Sequence, residues 1–120
     1  DGGLWHRFYL VGGWSPWSSV SVPGTIRAIA SGSYVPGNHE LLAVIESGKI
    51  FHSWQWGASD RSEWRLFDSD MLVADVVCVC PEWGLLDVVV IDRDGGVQCR
   101  RYRKDEQWSG WDALPRPSLD

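Results

Sequence analysis

Nine tryptophans in 120 residues, interleaved with arginine, histidine and short polar side chains, are the residues most able to do chemistry in this chain. An indole face packs against the C–H face of a polyhydroxylated ligand. The hydroxyls then need arginine, carboxylate or amide partners close by. Trp5, Arg7, Trp14, Trp54, Trp56, Trp83, Arg100 and Trp108 form the candidate ligand-binding set. Trp14 and Trp108 fall in loops and read as ligand contacts, and Trp54, Trp56 and Trp83 lie near loops. Trp5 either lines a pocket or fills an interface. Arg7 and Arg100 match in position, and either donate to a ligand or pair with a carboxylate of a neighbouring unit.

Covalent chemistry finds little support. No Gly-x-Ser-x-Gly, His-Glu-x-x-His, P-loop or Gly-x-Gly-x-x-Gly motif occurs. Asp68 and Asp70 could serve glycoside hydrolysis only if burial raised one of them, and their position in a loop predicts solvation. Asp92-Arg93-Asp94-Gly95 has the start of a calcium loop without its later acidic ligands, and reads as a hairpin turn. Three cysteines are too few for a disulfide scaffold, so Cys78, Cys80 and Cys99 read as small apolar core residues. The expectation is a binding module, not an enzyme, with no cofactor and no metal. Lys plus Arg is 11 against 16 Asp plus Glu, a net charge of -5, which disfavours nucleic acid and anionic membranes as partners. The apolar stretch from Met71 to Ile91 is interrupted by Asp75, Pro81, Glu82, Gly84 and Asp87. It reads as two buried strands joined by a loop, with no membrane insertion.

These residues must be held by something, and a repeat supplies it. Trp17, Trp64 and Trp111 recur at intervals of 47 residues. Leu4, Ile50 and Val97 follow the same spacing to within one residue, each just after a Gly turn. Each full unit reads as four short strands. The first is Ile26–Ala30 or Val73–Val79; the second is Leu41–Ile45 or Leu86–Ile91. A Gly hairpin leads to the third, Ile50–Trp56 or Val97–Arg103, and the fourth is Trp64–Phe67 or Trp111–Leu114. Residues 1–20 supply only a third and a fourth strand. The predicted fold is all-β, with propeller blades of four antiparallel strands: a half blade at 1–20, a blade at 21–68 and a blade at 69–116. Two and a half blades close no ring alone, so a homo-oligomer or the remaining blades of a longer chain are expected.

Within this frame Trp17, Trp64 and Trp111 read as packing between blades. His6 and His52 occupy equivalent positions and read as a repeated structural hydrogen bond or as ligand contacts. His39 reads as an exposed loop residue, and Glu40 and Asp87 as anchors for loop backbone. The chain starts at Asp1, which reads as a processed product, a fragment or an excised domain. No leader is visible, and the compartment stays open between secreted and cytoplasmic.

The phrases Asp-Gly-Gly-Leu-Trp-His-Arg-Phe at 1–8, Gly-Trp-Ser-Pro-Trp at 13–17 and Trp-Ser-Gly-Trp at 108–111 resemble the repeats of the Photorhabdus-lectin-like (PLL-like) β-propeller family. Arg61 stands where the first repeat has Trp14; Gln98 and Cys99 stand where it has Trp5 and His6. The resemblance implies a seven-bladed ring that binds fucose-type or O-methylated sugars in shallow pockets between neighbouring blades, without catalysis. Its partners would be glycans. The rival expectation is a protein-interaction or scaffold propeller attached to a larger protein.

Overall fold

The computed structural model describes residues 3–7, 9–68 and 70–115, and every regular element among them is a β-strand. A first sheet runs in chain order through β5 (Ile26–Gly32), β6 (Asn38–Ile45), β7 (Ile50–Trp56) and β8 (Arg65–Asp68), all antiparallel. A second sheet repeats this order with β9 (Val73–Val79), β10 (Leu85–Asp92) and β11 (Val97–Arg103). Its last strand is split into β12 (Gln107–Trp108) and β13 (Asp112–Leu114), both paired to β11. Before them, β1 (Leu4–His6) pairs with β4 (Ser18–Val20), and β2 (Tyr9–Leu10) with β3 (Gly13–Trp14), making one irregular hairpin. The fold is therefore all-β. Among the described residues the sheets close neither a barrel nor a ring.

Turn chemistry accounts for the strand ends. Gly48 and Gly95 sit at φ of 92° and 83°, a region an L side chain rarely adopts, and they reverse the chain from β6 into β7 and from β10 into β11. Asp92 completes the second turn: its Oδ1 accepts the Asp94 and Gly96 amides at 3.0 and 2.8 Å, which is the hairpin role read from the sequence.

The second strands begin earlier than their apolar runs, at Asn38 and Leu85. The fourth strands differ from Trp64–Phe67 and Trp111–Leu114 for a side-chain reason. Ser62 bonds Trp54 through both its backbone and its hydroxyl, its amide to the Trp54 carbonyl at 2.8 Å and its Oγ accepting the Trp54 amide at 2.9 Å. Ser109 does the same with Arg101, at 2.7 and 2.9 Å. A hydroxyl takes a ladder position that backbone would otherwise fill, and regular pairing breaks there.

The two sheets stack face to face, β5 lying against β9. Leu42, Val44, Ile50 and Phe67 of the first sheet bury against Val73, Val76, Val88 and Val90 of the second. Backbone bonds pin the stack at two ends: Val73 N–H to Gly48 O at 2.8 Å, and Gly84 N–H to Tyr34 O at 2.7 Å. Trp64 donates its indole N–H to Ser21 O, directly after β4, and Trp111 donates to Asp68 Oδ2 at 2.8 Å, at the end of β8, so two of the three recurring tryptophans reach the end of the preceding hairpin or sheet. Trp17 is instead exposed. On the far face of the second sheet Val77, Val79, Ile91 and Leu114 are exposed, whereas Val44 and Phe67, 47 positions before Ile91 and Leu114, are buried. Cys78 packs on the core, where burial first and Glu40 second push its thiol up to about 12. Of the three cysteines expected in the core only Cys78 packs there: Cys80 is exposed, because the chain leaves the sheet after Val79, and Cys99 lines the uncovered face of the second sheet beside Leu114.

Candidate functional site

Alternation along β6 and β7 turns Glu40, His52 and Trp54 towards the second sheet, and the two sheets diverge around them. The result is a groove of about 520 Å³ between the sheets. Its floor is charged and buried. Glu40 Oε1 meets His52 Nε2 at 3.0 Å, and Asn38 Nδ2 donates to Glu40 Oε2 at 3.0 Å. One carboxylate thus orients both an amide and an imidazole, which lowers the cost of hiding its charge. Glu40 is the one carboxylate lining the groove among the described residues.

The first sheet contributes one wall. Trp54 and Phe67 flank the His52 ring at centroid distances of 5.2 and 5.4 Å, the Arg65 guanidinium lies 5.3 Å over Trp54, and Trp56 stands at the mouth, 45% exposed. The second sheet contributes the other wall. Trp108 meets His52 edge-on at 5.5 Å and Tyr102 at 5.2 Å. Arg100 donates to Ser109 O at 2.8 Å and to Phe67 O at 2.9 Å, with its guanidinium 4.6 Å over the Phe67 ring. Burial holds Arg100 below the usual arginine value, which the nearby Asp68 charge partly offsets. Tyr34 closes one end against Trp56 and Tyr102; burial, then the hydrogen bond with Tyr102, raises its hydroxyl above the ordinary tyrosine range. Gln107 holds a positive φ of 71° at the rim, a conformation uncommon outside glycine. The groove offers aromatic faces, guanidinium and amide donors at its walls, and a fixed carboxylate–imidazole pair beneath.

Four of the eight candidate residues meet here: Trp54, Trp56, Arg100 and Trp108. Trp5 lies in a smaller cleft of about 240 Å³ between the hairpin and the first sheet, with His6, Ile29 and His39. Arg7 and Trp14 lie on the open face of the hairpin, where the Arg7 guanidinium sits 4.7 Å over Trp14 and 4.6 Å over Trp17. Trp83 does not line the groove and is exposed, with Lys104 Nζ 4.5 Å from its ring. Glu40, Tyr34, Tyr102, Arg65 and Phe67 belong to the groove without having been singled out as ligand residues, and His52, read as a structural hydrogen bond or a ligand contact, joins them there. A glutamate inside the apolar run before Leu41 was the available signal, because a buried charge needs a partner.

Several residue roles change. Arg7 and Arg100 form no ion pair among the described residues, because aromatic rings and, for Arg100, carbonyl oxygens occupy their guanidinium groups. Glu40 and Asp87 bind side chains instead of loop backbone. Asp87 holds Arg101 at 2.6 and 2.8 Å, and this bond keeps its carboxyl below the usual range against the opposing effect of burial. Burial pushes Asp68 up, but amides of Asp70 and Met71, the Trp111 indole and the Arg100 charge outweigh it and hold the carboxyl low. It is a structural acceptor, not a solvated loop acid. His39 lies within β6 and is half-buried, not an exposed loop residue. Arg61 Nη2 donates to its Nδ1 at 2.6 Å; burial first, then the Arg61 and His6 charges, lower its pKa to about 4.

No protein-family model matches the chain, and no curated protein matches it.

Proposed function

We propose that this chain is a non-catalytic carbohydrate-binding module of β-propeller type that takes fucose-like or O-methylated sugars in the groove between successive four-stranded units. The observation that carries this reading is the placement of Trp54, Trp56 and Trp108 with Arg65 and Arg100 around one cleft at a unit junction. A methyl group and the C–H face of a sugar pack on the rings, while guanidinium and amide donors meet the hydroxyls. The 47-residue succession of four-stranded meanders supports the propeller, whose ring is completed by further copies or further blades. The test is a titration of the chain with methyl fucoside and with O-methylated fucosides, read by tryptophan fluorescence. Binding is expected, and Trp56→Ala weakens it about threefold to tenfold, the worth of one aromatic stack. A folded chain that responds to no fucosylated or methylated sugar overturns the proposal.

A second reading, a protein-interaction module, has one specific observation in its favour. The junction between the hairpin and the first sheet carries Ser53, Gln55 and Arg61 where the second junction carries Arg100, Tyr102 and Trp108. Lectin repeats would keep the same wall. A pull-down that returns one protein, insensitive to free sugar, favours this reading.

A further inference from the structure

The N-terminal hairpin carries a second copy of one wall of the groove. Arg7, Tyr9, Trp14 and Trp17 precede Arg100, Tyr102, Trp108 and Trp111 by two repeats, 93 or 94 positions. The geometry is repeated as well. The Arg7 guanidinium sits over Trp14 and Trp17 at 4.7 and 4.6 Å, as Arg100 sits over Trp108 and Trp111 at 5.6 and 5.8 Å. Tyr9 meets Trp14 at 5.5 Å, as Tyr102 meets Trp108 at 5.2 Å. In the second sheet this wall is closed by the first sheet. On the hairpin it is open: Tyr9, Trp14 and Trp17 are 64%, 60% and 58% exposed. A cluster of that size left to water marks a contact surface.

The opposite end of the molecule has the matching face. Val97, Cys99 and Leu114 stand 47 positions after Ile50, His52 and Phe67, the residues that the second sheet covers on the first. Asp112 stands where the first sheet has Arg65. Arg101 and Arg103 share that face, but Asp87 and Glu106 take up their charges, so an arriving arginine meets the Asp112 carboxylate and the two ends are complementary in charge.

We propose that these two faces bind each other between copies. The wall of Arg7, Tyr9, Trp14 and Trp17 on one chain docks head to tail on the β11–β13 face of a second copy of this chain. The contact follows the junction already present inside the molecule. There Arg100 donates to Phe67 O, and Arg7 takes the Leu114 carbonyl of the second copy in the same way. The contact also builds a further groove, of which neither copy holds both walls. Because the hairpin has two strands across, it covers β11 and β13 and leaves Val77 and Val79 outside. So narrow a contact belongs with weak, concentration-dependent association. Its two sides differ, so it is heterologous, and it propagates or closes a ring.

The test is solution mass by light scattering across a concentration range, on the full chain and two variants with unchanged far-ultraviolet circular dichroism. Trp17→Ser removes the hairpin face, and Leu114→Lys removes the β13 face; both side chains are exposed, so folding does not depend on them. The unaltered chain is expected to rise above its 13.5 kDa mass with concentration. Each variant alone stays at the monomer mass. Mixed, they form a dimer and nothing larger, because one intact face of each kind remains. An unaltered chain that stays monomeric, a single variant that still assembles, or a mixture that stays monomeric overturns the proposal. It rests on the repeat geometry and not on the ligand, so the mass measurement and the sugar titration can fail independently.

Discussion

His39 gives its Nδ1 lone pair to Arg61 and stacks on His6 at a ring distance of 5.0 Å, so its ring is held neutral at the junction between hairpin and first sheet. A proton on it removes the acceptor and places a second cation beside the guanidinium. Glu40, on the same strand, is the nearby charge that opposes this, and it is too weak to restore the ordinary value. The sign of the stability effect follows. The folded value is about 4 against 6.5 in the unfolded chain, so between these limits the unfolded chain binds more protons. Stability is present above pH 6.5 and is lost as the pH falls towards 4. Burial and Arg61 lower His6 too, and it acts in the same direction. Melting temperature is expected to drop by a few degrees between pH 7 and pH 5, where about 1 kcal/mol moves a domain of this size by about 4 °C. His39→Gln flattens that drop. Asp87 acts lower: its folded carboxyl is depressed, so its contribution disappears only below the unfolded value of about 3.9.

The broken fourth strands are the element in which a single hydroxyl matters most. Ser109→Ala leaves the Arg101 amide without its acceptor, at an exposed position where water takes over, and should cost about 1 kcal/mol in urea unfolding. Ser62→Ala should cost more, up to about 3 kcal/mol, because the same hydroxyl also meets buried Ser53 Oγ at 3.3 Å. The contrast between the two serines separates an exposed from a part-buried ladder break. These breaks also mark how far the amino-acid sequence can be read. Strands β7 and β11 were legible to the residue, since a glycine at positive φ turns the chain into each. Splitting of β12 from β13 was not, because it depends on a serine choosing the backbone eight residues earlier. Trp54 and Trp108 were legible as neighbours of a site from their residue type. Arg100 was singled out and lines the groove, but its partners were not legible, since a carbonyl 33 residues away leaves no trace in local pattern. The pairing of Glu40 with His52 was the largest omission, because Glu40 read as a backbone anchor and His52 as a separate hydrogen bond or ligand contact until the hairpin register brings them together.

At the scale of the whole molecule, the hairpin and the two sheets follow one another with three chemistries: an open aromatic wall on the hairpin, an Arg61–His39 contact at the first junction, and an aromatic groove at the second. The wall of the hairpin recurs residue for residue on the second sheet, whereas the first sheet carries Ser53, Gln55 and Arg61 in its place. The stack is held by apolar side chains in its middle and by two backbone bonds near its ends, from Val73 to Gly48 and from Gly84 to Tyr34. Those two amides therefore report on different breathing motions. Hydrogen exchange at Val73 follows separation of the sheets near the turns between β6 and β7, whereas exchange at Gly84 follows separation beside Tyr34, where the groove opens. A ligand seated between the walls is expected to slow exchange at Gly84 more than at Val73, turning one amide into a local gauge of occupancy and the other into its internal standard.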